Sequence, residues 1–279
     1  MVGALVGQGV SVRAASTTPD RLPTMNGHCR AVRLDFRDPR TFAPAVRGCG
    51  ALFLMRPPAI ADVASTLNSF VDVAAREGVK HVVFLSVAGA GENRIVPHHA
   101  VEQHLQRGAM VWTVLRPGFF AQNFGDAYRR DIVEKDRVYV PAGAGVVAFI
   151  DARDIAQVAA VVLGRPEAHA GQAYTLTGPE SIGFHEAARL LETAISRRIR
   201  YVPASIPGYV AHLLRRRMPV AQVAVQTVLH VGLRFGQAAR VDDTLTRLVG
   251  RRGRVLSDYF RDHAHLWEAE TVDGRGAGP

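Results

Sequence analysis

Short apolar runs alternate with stretches of helical spacing over the first half of the chain. Val10 to Ala15, Ala31 to Phe36, Ala51 to Met55, His81 to Ser86 and Val111 to Arg116 read as strands. The third and fourth are continuous apolar runs, as expected of parallel strands covered on both faces. Between them, residues 60–77 place Val63, Leu67, Phe70, Val71 and Ala74 on one helical side, and Gly78 closes that helix. Residues 98–107 form a second predicted helix, ending at Gly108. Strands alternating with helices predict an α/β fold with a doubly wound, parallel Rossmann-type sheet.

After Asn123 the rhythm changes. Short strands are predicted at 138–140, 149–150, 173–176 and 201–203, and helices at 152–163 and 183–196. From 205 to 269 the spacing is mostly helical. The expected division is a dinucleotide-binding domain over 1–124, a smaller, mostly helical substrate region over 125–272 and a disordered tail over 273–279.

Composition narrows the class. The chain has 279 residues, of which 48% are hydrophobic, enough for a sizeable core. No apolar run reaches the roughly 20 residues needed to span a bilayer, and the N-terminus lacks the basic start of a signal peptide, so a cytoplasmic location is expected. Cys29 and Cys49 give neither a disulfide framework nor metal spacing. The net charge of +9 comes almost wholly from arginine, since lysine stands only at 80 and 135. The densest basic runs are 197–200, 215–217 and 251–254. Without interleaved aromatics or zinc spacing they read as solvated helix ends and faces, and neither a nucleic-acid nor a membrane partner is expected.

The opening of the chain sets one further expectation. A helix-like piece over 4–9 followed by a strand corresponds to the second half of a first βαβ unit, whose first half is a strand and a glycine-rich turn on the pyrophosphate. No G-x-G-x-x-G precedes Val10. The missing strand and turn are expected upstream of Met1.

Five segments carry a family resemblance: 84–90 (FLSVAGA), 96–102 (VPHHAVE), 112–123 (WTVLRPGFFAQN), 149–156 (FIDARDIA) and 174–180 (YTLTGPE). In this order they resemble the NmrA-like group of atypical short-chain dehydrogenases/reductases. The resemblance implies a Rossmann-type fold binding NADP or NAD. It also implies either an NAD(P)H-dependent oxidoreductase of a small quinone or carbonyl, or a non-catalytic NADP-sensing regulator, or a truncated form with impaired cofactor binding.

Carried over by position, Ser16 and Thr17 meet the adenosine ribose or 2′-phosphate, with Arg13 or Arg21 as stand-ins for the arginine common there. Asp35 and Phe36 border the adenine. Met55, Arg56, Pro57 and Ser86 end strands at the ligand-binding edge, Pro117 and Gly118 lie at the nicotinamide end, and Phe119, Phe120 and Asn123 line the substrate mouth. The family's Tyr-x-x-x-Lys is absent: His98 or His99 stands near the Tyr position and Glu102 or Gln103 near the Lys. Ser86 with His98 is therefore the candidate acid–base pair, the alternative being that His98 caps a helix start. Arg116 is expected to pair with Glu102 or Asp151. A small-molecule substrate, no metal and a monomer or homodimer complete the expectation.

Overall fold

The computed structural model describes residues 1–22 and 27–268; the expected disordered tail over 273–279 lies outside the described residues. In chain order the elements are α1 (Val2–Val6), β1 (Val12–Ser16), β2 (Cys29–Arg33), α2 (Phe42–Val46), β3 (Ala51–Met55), α3 (Ser69–Arg76), β4 (His81–Leu85), α4 (Pro97–Arg107) and β5 (Val111–Pro117). Then come α5 (Arg129–Lys135), β6 (Arg137–Val140), β7 (Val146–Val147), α6 (Ala152–Gly164), β8 (Gln172–Leu176), β9 (Ile182–Gly183), α7 (Phe184–Ile195) and β10 (Arg200–Pro203). Four helices complete the described chain: α8 (Ile206–Arg215), α9 (Val220–Leu233), α10 (Thr244–Val249) and α11 (Leu256–Asp262).

These elements form two compact units. Of the described residues, the first comprises those of 1–118, 152–177 and 242–252, and the second those of 119–151, 178–241 and 253–268. The chain passes from the first unit to the second after residue 118 and returns twice to the first. The reason is local: β8 hydrogen-bonds to β5, and Asp154 of α6 pairs with Arg251 just after α10 at 2.6 Å. Both pairings hold late segments against the sheet.

Unit 1 carries a parallel sheet in the order β3-β4-β5-β8 and a separate parallel pair β1-β2. Val82 and Phe84 of β4 pack with Leu54, with Phe70 and Val71 of α3 and with Val101 and Leu105 of α4. The alternate Val83 is also fully buried, and α6 lies against β4 and β5. Alternating side chains that are buried on both faces are what a doubly wound sheet requires.

The continuous apolar run of β3 is less buried than its sequence predicts. Ala51 and Met55 are exposed, Met55 by 58%. β3 has a strand neighbour on one side only, and so has β1. Helix 60–77 is predicted as one piece; its first part, Ala64–Asn68, is wound as a π-helix.

Unit 2 is built round a different core: Phe124, Tyr128, Phe149, Phe184, Tyr201, Phe260 and Trp267 pack mostly edge to face. Its sheets are minimal, β6 with β10 and β7 with β9. The strand predicted at Phe149–Ile150 is a single bridge to Phe120, because Ala148 instead accepts Gly178 and donates to Ala238.

Candidate functional site

Parallel strands present their carboxyl ends on one edge, and that edge is where open α/β sheets bind ligands. In unit 1 this edge collects most of the candidates. At the end of β1, Ser16 Oγ accepts the Thr18 backbone N–H at 3.1 Å, which fixes the turn, and Thr17 is exposed. The exposed Arg13 guanidinium donates to the Arg47 carbonyl at 2.7 Å. Arg21 stays exposed on the short turn after β1.

Asp35 and Phe36 lie beyond the end of β2, not inside it as the sequence pattern predicts. Thr41 Oγ holds this bend by accepting the Asp35 N–H at 3.0 Å and donating to the Asp38 carbonyl at 2.7 Å. Asp35 Oδ1 accepts the Arg37 N–H at 2.9 Å, and one edge contact of the Phe36 ring is spent on Phe70 at 5.4 Å.

After β3, Arg56 wraps its own turn. Its guanidinium donates to the carbonyls of Pro57 at 3.2 Å, Pro58 at 3.3 Å and Ile60 at 2.5 Å. The two prolines cannot donate backbone N–H groups, so this arginine supplies the donors that the turn lacks. Its Nε–H also points at His98 Nε2, at 3.4 Å. His98 therefore presents a lone pair on Nε2 and carries its proton on Nδ1. Burial, with the Arg56 charge second, pushes its pKa down to about 4, and Glu102 offsets this only in part. His98 is neutral at pH 7.

Ser86 ends β4 and is buried. Its hydroxyl donates to Glu102 Oε1 at 2.5 Å. Glu102 is wholly buried on α4 and also takes two bonds from Arg116 of β5, NH2 to Oε2 at 2.5 Å and Nε to Oε1 at 3.1 Å. This forked ion pair is the Arg116–Glu102 pairing that the sequence suggests. Ser86 and His98, the candidate acid–base pair, each have a different partner. A buried carboxylate must fill its lone pairs, so Glu102 takes the serine proton, while Arg56 faces the histidine. Ser86 and His98 are not bonded to each other. Gly91 seals the cluster: a Cβ there would lie 2.5–2.8 Å from the Arg116 guanidinium.

At the end of β5, Pro117 is buried, and Gly118 N–H donates to the Leu176 carbonyl at 2.8 Å. Phe119, Phe120 and Asn123 belong to unit 2. Phe119 stands edge-on to Phe149 at 5.9 Å and to His230 at 5.6 Å. Its neighbour there is a pair that sequence reasoning does not find. The Tyr128 hydroxyl and His230 Nε2 are 2.5 Å apart, and His230 Nδ1–H donates to the Gln226 carbonyl at 2.6 Å. A carbonyl only accepts, so Nε2 is the lone pair that receives the Tyr128 proton. Burial pushes the His230 pKa down to about 4 and the Tyr128 pKa well up. A lone histidine in the apolar α9 was the available signal. Its partner stands 102 residues away.

A second cluster of this kind surrounds Asp131, which accepts His212 at 2.7 Å, Arg216 at 2.9 Å and Arg137 at 3.2 Å. No group of three metal-ligating side chains occurs among the described residues, and no described helix is long and apolar enough to cross a membrane.

Along this edge Thr17 and Met55 are exposed, Asp35, Phe36 and Gly118 are half-buried and Pro117 is buried. No glycine-rich turn opens α1, so no residue is assigned to the pyrophosphate.

A family model described as NAD(P)H-binding matches residues 1–166. The NAD(P)H azoreductase of Xenophilus azovorans is 33% identical over 247 residues, covering 84% of this chain and 82% of the relative. The NADPH-dependent quinone oxidoreductase of Escherichia coli, solved with NADPH, superposes with a TM-score of 0.83 at 21% identity, over 96% of this chain and 95% of that one. NmrA, a negative transcriptional regulator solved with NADP, superposes with a TM-score of 0.72 at 15% identity, over 94% and 91%.

Proposed function

We propose that this chain, which belongs to the NAD(P)H-binding family, is an NAD(P)H-dependent reductase of a small aromatic acceptor, a quinone, azo compound or carbonyl. The observation that carries this reading is a neutral histidine, His98, held by Arg56 beside the exposed end of β3. The nicotinamide, when bound, supplies hydride from its C4. Met55, Arg56, Pro57, Pro117 and Gly118 are proposed to hold that ring, and Ser16, Thr17, Asp35 and Phe36 the adenosine. Phe119, Phe120 and Asn123 are the proposed substrate contacts.

His98 acts by hydrogen bonding rather than as an imidazolium acid. With Nε2 taken up by Arg56, the Nδ1–H donates to an acceptor oxygen or nitrogen as it gains negative charge. The proton that neutralises the product comes from solvent, because an imidazole with a pKa of about 4 holds no transferable second proton at pH 7. Ser86 keeps its place through Glu102, and the forked Arg116 pair fixes α4, and with it His98, against the ends of β4 and β5.

One observation favours a second reading, a dinucleotide sensor without turnover: the Ser86 hydroxyl is buried and already committed to Glu102. Steady-state oxidation of NADPH, followed at 340 nm against a quinone, an azo dye and an aromatic aldehyde, separates the two. Turnover with at least one acceptor, falling at least tenfold in His98→Ala with little change in NADPH affinity, supports the reductase. NADPH binding with no turnover across the panel supports the sensor.

A further inference from the structure

Helix α9 is inside-out. The side turned into unit 2 carries Val223, Gln226, Thr227, His230 and Leu233. Its polar groups are all satisfied there: Thr227 donates to the Val223 carbonyl, Gln226 Oε1 accepts from Tyr209, and His230 holds Tyr128. The outward side is Val220, Ala221, Gln222, Ala224, Val225, Val228 and Leu229, all exposed and all apolar but Gln222. Val220 is 74% exposed, Val228 71%, Val225 58%, and Phe235 just beyond the helix 83%. A surface helix of a soluble protein carries the opposite pattern.

Charge says what kind of surface covers it. Between residues 193 and 241 there are eight arginines and neither Asp nor Glu. Arg197 is spent on Asp136, Arg216 on Asp131 and Arg234 on the Pro141 and Ala204 carbonyls. Arg198, Arg200, Arg215 and Arg217 are exposed and make no ion pair among the described residues. Arg215 and Arg217 stand at the turn that leads from α8 into α9, with Leu214 exposed just before them. Lys135 lines the same shallow depression as Arg215, a cavity of about 240 Å³ whose two carboxylates, Glu134 and Asp131, are paired with Arg130 and Arg216.

We propose that the α8–α9 hairpin docks on an anionic lipid surface. The outward face of α9 enters the boundary between headgroups and acyl chains, and Arg215 and Arg217 meet lipid phosphates at its start. An interfacial helix needs both terms, an apolar face and neighbouring cations, and the hairpin carries both. A second copy of the chain fits less well. A 14-residue helix is about 21 Å long and about 10 Å wide, so its face offers on the order of 200 Å², against about 800 Å² per partner in a stable dimer. A nucleic acid leaves the valine face unexplained. The proposal stands whether or not the reductase reading does.

The test is co-sedimentation of the full chain with sucrose-loaded vesicles of phosphatidylcholine, with and without phosphatidylglycerol. The expected result is binding to the anionic vesicles alone, weakening as salt is raised. Arg215→Gln with Arg217→Gln lowers the partition coefficient by roughly 25-fold, about fivefold for each arginine. Val228→Asp abolishes binding. Both variants change exposed side chains, so their circular dichroism and melting temperature stay at the parent values. Equal binding to neutral vesicles, unchanged binding of Val228→Asp, or no vesicle binding with a dimer seen by light scattering or with DNA bound instead would each overturn the proposal.

Discussion

Replacing Glu102 by Gln removes one charge from the cluster that ties β4, β5 and α4 together. The shape is kept, and Ser86 can still donate to the amide oxygen. Arg116 keeps its cation, loses the forked carboxylate, and stays pressed against Gly91. Breaking a buried pair from one side costs about 3–5 kcal/mol. The arginine side chain is 22% exposed while that of Glu102 is 1% exposed, so water reaches the orphaned cation and the lower end applies, about 3 kcal/mol. For a protein of this size that corresponds to a fall of roughly 6–12 °C in melting temperature.

The assay is urea unfolding followed by circular dichroism, comparing midpoints at equal slope. Gly91→Ala supplies the internal control. Its Cβ would meet the guanidinium at 2.5–2.8 Å, a clash that costs about 1–3 kcal/mol while Glu102 holds the arginine in place. In the Glu102→Gln background Arg116 is free to swing away, so the double variant is less destabilised than the sum of the singles. A Glu102→Gln loss below about 1 kcal/mol, or strict additivity with Gly91→Ala, would refute the reasoning.

His230 sets a pH dependence. Its folded pKa of about 4 lies below the unfolded value of 6.5, so the unfolded state binds the proton first and stability, complete above pH 6.5, is lost as pH falls toward 4. The expected loss from this group is about 2 kcal/mol between pH 7 and pH 5, read as a shift in urea midpoint that flattens in His230→Gln. Tyr128→Phe leaves the buried His230 Nε2 without a donor, and denaturation should show a cost of about 1–3 kcal/mol. Gly178→Ala would drive a methyl to 1.9 Å from the Phe149 carbonyl oxygen. Backbone cannot swing aside as a side chain can, so a loss of about 3 kcal/mol is expected, and a melting temperature at the parent value would contradict it.

Local pattern carried the parallel strands well, because each apolar run of β3, β4 and β5 contains its own burial information. It did not carry the partial exposure of β3, which depends on a neighbour at its edge and not on its own residues. Asp35 and Phe36 read as the end of a strand, yet Thr41, six residues on, bends them out through its hydroxyl. At the candidate site the residue types were legible and their partners were less so. Charge alone narrowed the partner of Arg116 to Glu102 or Asp151, whereas the commitment of Ser86 to Glu102 and of His98 to Arg56 depends on where α4 starts relative to β3. The Asp131–His212 and Tyr128–His230 pairs join residues 81 and 102 positions apart, a separation at which spacing is silent. Helix α9 misleads any reading from amphipathicity, since its polar side faces in.

The central claim, that this chain passes hydride from NAD(P)H to a small acceptor, is tested most directly by turnover with NADPH deuterated at C4, one face at a time, against a quinone or azo dye. The account predicts that deuterium on one face slows kcat/KM and deuterium on the other leaves it unchanged. Turnover with no isotope effect from either face, or NADPH bound and never oxidised, would contradict it.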